Sequence, residues 1–259
     1  MKHWRQTLVP VVISLVIVIV LWELVIRIFS VPQYILPLPE KVVLAIGTNA
    51  DVLWGASVVT LLETVLGFLA GVVIGVTVSI LITSSQLLNR MVYPVIVALQ
   101  VVPKIAVAPL FVVWFGFGLL PKVIIAFLIA FFPVVVDTTI GLESLDPEMQ
   151  RLADSMGGGR FRNFRKFRFP NALPSFFGAL RIAITLAVVG AITGEFVGSS
   201  SGLGYIVLSA AGDVNTPLVF ASIILMTLLG VILFFVVELI ERVSIPWYRS
   251  SKLDISGTP

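Results

Sequence analysis

The chain has no cysteine and a single histidine, His3. The first absence excludes disulfides, thiol catalysis and Cys-ligated zinc. The second leaves no internal imidazole for acid–base chemistry. Charge is scarce as well. Charged residues make up 12% of the chain, about half the usual share in a soluble domain. No G-x-x-x-x-G-K-[ST] pattern occurs, so the chain lacks the loop that cradles ATP phosphates. H-E-x-x-H is missing too, which removes the zinc-protease reading. What is abundant is apolar surface. Hydrophobic residues make up 58% of 259, the mean hydropathy is +1.10, and the apolar residues come in long runs, so the chain reads as an integral membrane protein. The net charge of +3 is small. Basic residues in such a chain mark the cytoplasmic loops, and nucleic acid is not an expected partner.

A span needs about 20 mostly apolar residues. The first runs from Leu8 to Phe29 and is too long for the apolar region of a signal peptide. Glu23 and Arg27 near its end are spaced to pair on one helix face. A loop with Pro32 and Pro37 follows, then a surface helix starting near Pro39. The second span covers about Ala56 to Thr83. Its Gly67, Gly71 and Gly75 form a small face suited to close helix packing. The third, Asn89 to Phe115, is interrupted by Pro94, Pro103 and Pro109, and is expected to be bent and buried among other helices. GFGLLP makes a turn. Lys122 to Ile140, Phe176 to Val197 and Pro217 to Leu239 complete the set, with GSSSGLG as a loop between the last two.

Lys2, Arg5, Arg90, Arg151, the cluster Arg160, Arg162, Arg165, Lys166 and Arg168, and the tail residues Arg242, Arg249 and Lys252 all fall on one side of such a bundle. That side is expected to be cytoplasmic, with both termini there. The loop at 141–175 carries more than topology requires. Asp146 can cap a helix whose first residue is Pro147. Met149, Leu152, Ala153 and Met156 recur at helical spacing. The helix ends at Gly157-Gly158-Gly159, where positive φ is expected. A second short helix at 160–169 interleaves phenylalanines with basic residues, and Pro170 and Pro174 are expected to close it before the next span. Arginine can reach lipid phosphate there while phenylalanine anchors below.

At this loop the sequence resembles the membrane permease subunit of bacterial ATP-binding cassette importers. The resemblance rests on Ala153, Gly157, Phe164, Phe169-Pro170 and Ala172-Leu173-Pro174. Arg151-Leu152-Ala153 stands where the family has Glu-Ala-Ala, and Phe169 where it has Leu. LPLPEKVVLAIG (36–47), VVPKIAVAPLFVVWFGFG (101–118), FFPVVVDTTIGLESLDPE (131–148) and GEFVGSSSGLGYIV (194–207) are similar to the nitrate/sulfonate/taurine branch. Glu63 departs from the basic residue usual in that branch. The resemblance implies an all-α membrane protein of about six transmembrane helices with the type I importer permease fold. It implies one transmembrane permease domain over 1–259, with a cytosolic coupling loop at 141–175. Glu148, Arg151, Leu152, Ala153, Met156, Gly157 and Phe161 would couple to a pair of cytosolic ATP-binding subunits. An extracytoplasmic substrate-binding protein and a second permease copy, as a homodimer in the plasma (inner) membrane, complete the implied assembly. The chain itself would hold no cofactor or metal and have no catalytic residue. The substrate would be a small nutrient: an anion, a sulfonate, or an aromatic vitamin precursor.

Charges inside spans are costly and need a partner or water. Lys104, Asp137 and Glu195 are candidates for the translocation pathway, with a structural pair as the alternative. Glu63 is a weaker candidate. Arg181 and Glu238 belong at the interface, and Trp114 and Phe115 are interfacial anchors or packing residues, with substrate stacking as the further alternative. An ion-coupled secondary transporter is the alternative function. It would want two repeated halves with discontinuous helices at corresponding positions, and no such repeat is visible. An intramembrane enzyme or assembly factor is a third class, and it lacks the residue sets for chemistry.

Overall fold

A computed structural model of the chain describes residues 2–157 and 159–247. The side chains of residues 2–8, 11, 12, 15 and 160 lie outside the described set. So do Gly158 and the basic residues Arg249 and Lys252. The elements in order are α1 (Lys2–Ile28), α2 (Pro39–Thr48), α3 (Ala50–Ser84), α4 (Gln86–Gln100), α5 (Lys104–Phe115), α6 (Leu119–Glu143), α7 (Pro147–Ser155), α8 (Gly159–Asn163), a π turn (Phe164–Arg168), α9 (Phe169–Gly198), α10 (Leu203–Gly212) and α11 (Thr216–Ser244). Among the described residues, four helices are long and apolar enough to cross a membrane, and the bent pair α4–α5 makes a fifth span. The apolar run of α1 is the remaining span of the sequence reading, and part of it lies outside the described side chains.

The helices fall into two compact units. The first comprises Met1–Thr60 with Ser199–Leu228. In it the Trp22 and Phe220 rings lie 5.5 Å apart, and Arg27 pairs with Glu23 at 2.5 Å as their spacing predicts. The Thr60 hydroxyl accepts from the Leu203 N–H at 2.9 Å, satisfying a donor that the first turn of α10 leaves open. The sequence reading passed over α10. At ten residues it is too short to register as a span.

The second unit comprises Leu61–Gly198 with Leu229–Pro259. Its centre is α6, which packs most extensively on α9. Small residues make this possible. A Cβ at Gly67 of α3 would sit 2.4 Å from the Ala126 Cβ of α6, and one at Gly190 of α9 would sit 2.6 Å from the Ala126 Cα. Neither gap admits a methyl, so α6 is held between two glycine faces. Gly71 and Gly75 continue the contact toward Ala130 and Val134. The Ser79 hydroxyl lies 3.0 Å from the Val135 carbonyl and links α3 to α6 a turn farther on. Arg181 of α9 donates to Glu241 of α11 with Nε at 2.6 Å.

Two expectations are corrected here. The third span is bent, by 93°, but it is not buried. Among the described residues of α4 and α5, only Ile96 and Ala108 are buried. The break falls at Pro103, whose φ of −71° sets the N-cap of α5. Lys104 Nζ donates to the Gln100 carbonyl that the break frees. The second correction concerns Pro170 and Pro174. They do not end a helix, because Phe161–Gly198 runs on as one span-length segment. The π turn at 164–168 shifts the bonding register. Pro170 then falls in the first turn of α9, where a missing N–H costs least. Pro174 forgoes only the bond to the Pro170 carbonyl.

Candidate functional site

The polar loop builds α7 as its residues dictate. Asp146 is the N-cap and accepts from the Glu148 N–H at 2.7 Å, with Pro147 in the first turn. Gly157 at φ +64° and Gly159 at φ +66° turn the chain after Met156. Both values lie in the left-handed region that a side chain disfavours. Within α7, adjacent residues point opposite ways. Ala153 is 1% exposed and Leu152 is 53% exposed. Ala153 therefore seats the helix on its own unit, while Met149, Leu152 and Met156 face outward. Glu148 and Arg151 are exposed beside them, and Phe161 is exposed on α8. Asn163 Nδ2 donates to the Asp154 carboxylate at 2.8 Å and ties α8 to α7. A nine-residue helix is marginal alone. Here a cap, a buried alanine and this side-chain bond hold it, with four large apolar residues left uncovered.

The residues considered for the pathway separate into two places. Lys104 and Asp137 are partly exposed. The Lys104 ammonium lies 4.3 Å from the centroid of the Phe132 ring, a cation–π distance. Glu195 is 1% exposed and lies within hydrogen-bonding and Coulombic range of Glu63, itself fully buried. Glu63 forms an ion pair with Lys122, which is 3% exposed. Gly194 leaves the room for this, since a Cβ there would stand 2.9 Å from the Lys122 Cα. Three helices thus each contribute one charged group to a buried cluster of two carboxyls and one ammonium. In the sequence Lys122 marks only the start of a span. Its signal was a lysine in an apolar stretch with no charged neighbour at helical spacing, which requires a partner from elsewhere. Trp114 and Phe115 are exposed at the end of α5.

Comparison with known proteins agrees with this architecture. Residues 64–245 match the family described as "Binding-protein-dependent transport system inner membrane component". The formylaminopyrimidine transport permease protein ThiX of Halalkalibacterium halodurans is 36% identical over 250 residues, 96% of this chain and 99% of the relative. The riboflavin transport system permease protein RibX of Chloroflexus aurantiacus is 32% identical over 96% of this chain and 92% of its own. Among solved structures, a chain of the MetNI methionine ABC transporter in an inward-facing conformation superimposes with a TM-score of 0.66. The match covers 75% of this chain and 96% of that one at 22% identity, and it establishes the type I importer permease fold. With most of its length matched and its fold shared, the chain belongs to the family of binding-protein-dependent transport system inner membrane components, the multi-pass permease subunits of ATP-driven importers.

Proposed function

We propose that this permease transmits ATP-driven movement through α7 and carries a small heteroaromatic nutrient of the vitamin-precursor type. The observation that carries the coupling role is the outward apolar face of Met149, Leu152 and Met156 on a helix seated by Ala153. An exposed face of this kind fits a groove on a cytosolic ATP-binding subunit. Glu148 and Arg151 flank it, Phe161 extends it, and Gly157 sets its angle. ATP is bound by that separate subunit, a pair of which serves the transporter. The substrate class follows the two relatives named for formylaminopyrimidine and riboflavin transport, each aligned over 96% of this chain. An extracytoplasmic binding protein delivers it. The basic loops support a reading in which α7 and both termini lie on the cytoplasmic side.

The exposed apolar surface of α5, with Val113, Trp114 and Phe115, supports pairing with a second copy of the chain. The pathway then lies between the copies. Lys104 and Asp137 reach it, and Glu195 stands behind its wall in the buried cluster.

Affinity purification from the native membrane in mild detergent tests the reading. A P-loop ATPase is expected at two copies per two permeases. Recovery of the chain without one would refute the reading, as would transport that stops with an ionophore and survives ATP depletion. Met156→Glu places a charge in the docking face. It is expected to abolish ATPase copurification while membrane insertion is kept. Retained binding and uptake in that variant would remove α7 from the coupling role.

A further inference from the structure

Two cavities adjoin in the second unit; Met149, Leu152 and Met156 line neither, and Gln150, Ala153, Asp154 and Phe161 line the second. One is an apolar groove of about 320 Å³ lined by α3, α6 and the start of α9, with Val73, Val76, Leu173 and Phe176 in its walls. The other is a polar cavity of about 700 Å³ lined by Ser84, Gln86, Gln150, Asn163 and Arg168 among others. Ile80 lines both, so they meet at the end of α3. The junction is marked on the other side by Arg168 in the polar cavity and its neighbour Phe169 in the apolar one. The Phe164 ring of the polar cavity lies 6.1 Å from that of Phe169. A compartment that changes from hydrocarbon to polar over one residue matches an amphiphile rather than a small polar solute.

Charge narrows the choice. The π turn carries Arg165, Lys166 and Arg168 together. The carboxylate in the polar cavity, Asp154, already accepts a hydrogen bond from Asn163. Of the three basic residues only Arg168 lines the polar cavity, and it adjoins Phe169 of the groove, so a guanidinium stands where the two cavities meet.

We propose that the adjoining cavities form a binding site for one anionic phospholipid, with an acyl chain between α3, α6 and α9 and the phosphate on Arg168. Arginine suits this task because its planar fork holds phosphate oxygens in pairs. The lipid would brace the segment that carries α7 against the spans. Its assignment to the cytoplasmic leaflet rests on the sidedness proposed above. Its binding does not, and it is read without an ATPase.

The test is native mass spectrometry of the full chain, purified in mild detergent and offered phosphatidylglycerol or phosphatidylcholine. One phosphatidylglycerol retained per chain, in preference to phosphatidylcholine, is expected. Arg168→Gln should lower phosphatidylglycerol retention about tenfold and abolish the headgroup preference. Val73→Trp, at an exposed position on the groove wall, should lower retention of both lipids. Met156→Glu should leave retention unchanged, so failure of the coupling role would not be mistaken for failure of this site. Three results would overturn the proposal. One is no retained lipid in the wild type. Another is equal retention of phosphatidylglycerol by the wild type and Arg168→Gln. The third is displacement of the lipid by soluble glycerol phosphate, which would make the site one for anions alone.

Discussion

Replacing Lys122 by methionine tests the buried charge cluster most directly. Glu63 is fully buried and Lys122 and Glu195 are nearly so, and Glu195 faces Glu63 at interaction range. Removing the ammonium leaves two carboxyls facing each other in a site with no solvent to screen them. Breaking a buried pair from one side costs about 3–5 kcal/mol, because the surviving charge is left uncompensated. For a chain of this size that is a fall of roughly 6–20 °C in the unfolding midpoint. Glu63→Gln makes the matched comparison. It keeps the side-chain shape and leaves one carboxyl with one ammonium, so its cost should stay below about 1.5 kcal/mol. The assay is thermal unfolding of the detergent-purified chain followed by size-exclusion chromatography, with membrane yield measured in parallel. A Lys122→Met midpoint equal to the wild type would refute the reasoning. So would a Glu63→Gln variant as unstable as Lys122→Met.

The glycine contacts predict an ordered series. Gly67→Ala would drive a methyl into Ala126 at 2.4 Å and should lower the unfolding midpoint, by about 1–3 kcal/mol of overpacking. Gly47→Ala in α2 meets nothing within 4 Å and should be neutral or stabilising by up to about 1 kcal/mol. Equal effects at both positions would show that helix propensity rather than packing governs α3. For the pathway, Lys104→Ala should abolish uptake while the ATPase still copurifies. Normal uptake kinetics in that variant would take Lys104 off the pathway.

Much of the 141–175 loop was legible because its signals are local. Asp146 before Pro147 specifies a helix start through bonds made within three residues. Gly157 specifies its end through a backbone angle that needs no distant partner. The apolar runs located the spans for a similar reason, since a bilayer reads length and hydropathy along the chain. Local rules also produced the errors. Pro170 and Pro174 signal a break by propensity, yet the π turn before them changes the bonding register and the helix continues. The pattern at 101–115 indicated a bend. It could not show that the bent pair lies on the surface of its unit.

What tertiary structure alone decided are the relations between elements. Spacing put Leu152 and Ala153 on one apolar face, and only the neighbouring segments turn Ala153 inward and Leu152 outward. The glycines of α3 form a stripe in any helix, but Ala126 must face them before they become a packing surface. Lys122 finds Glu63 across a helix interface, and the apolar and polar cavities meet only where α3, the π turn and α9 converge. The class of protein, most of its spans and the start and end of α7 are written along the chain, because hydropathy, caps and turns act over a few residues. Charge pairing and cavity shape depend on which faces of distant helices come to within a few ångströms, and no one-dimensional pattern carries that register.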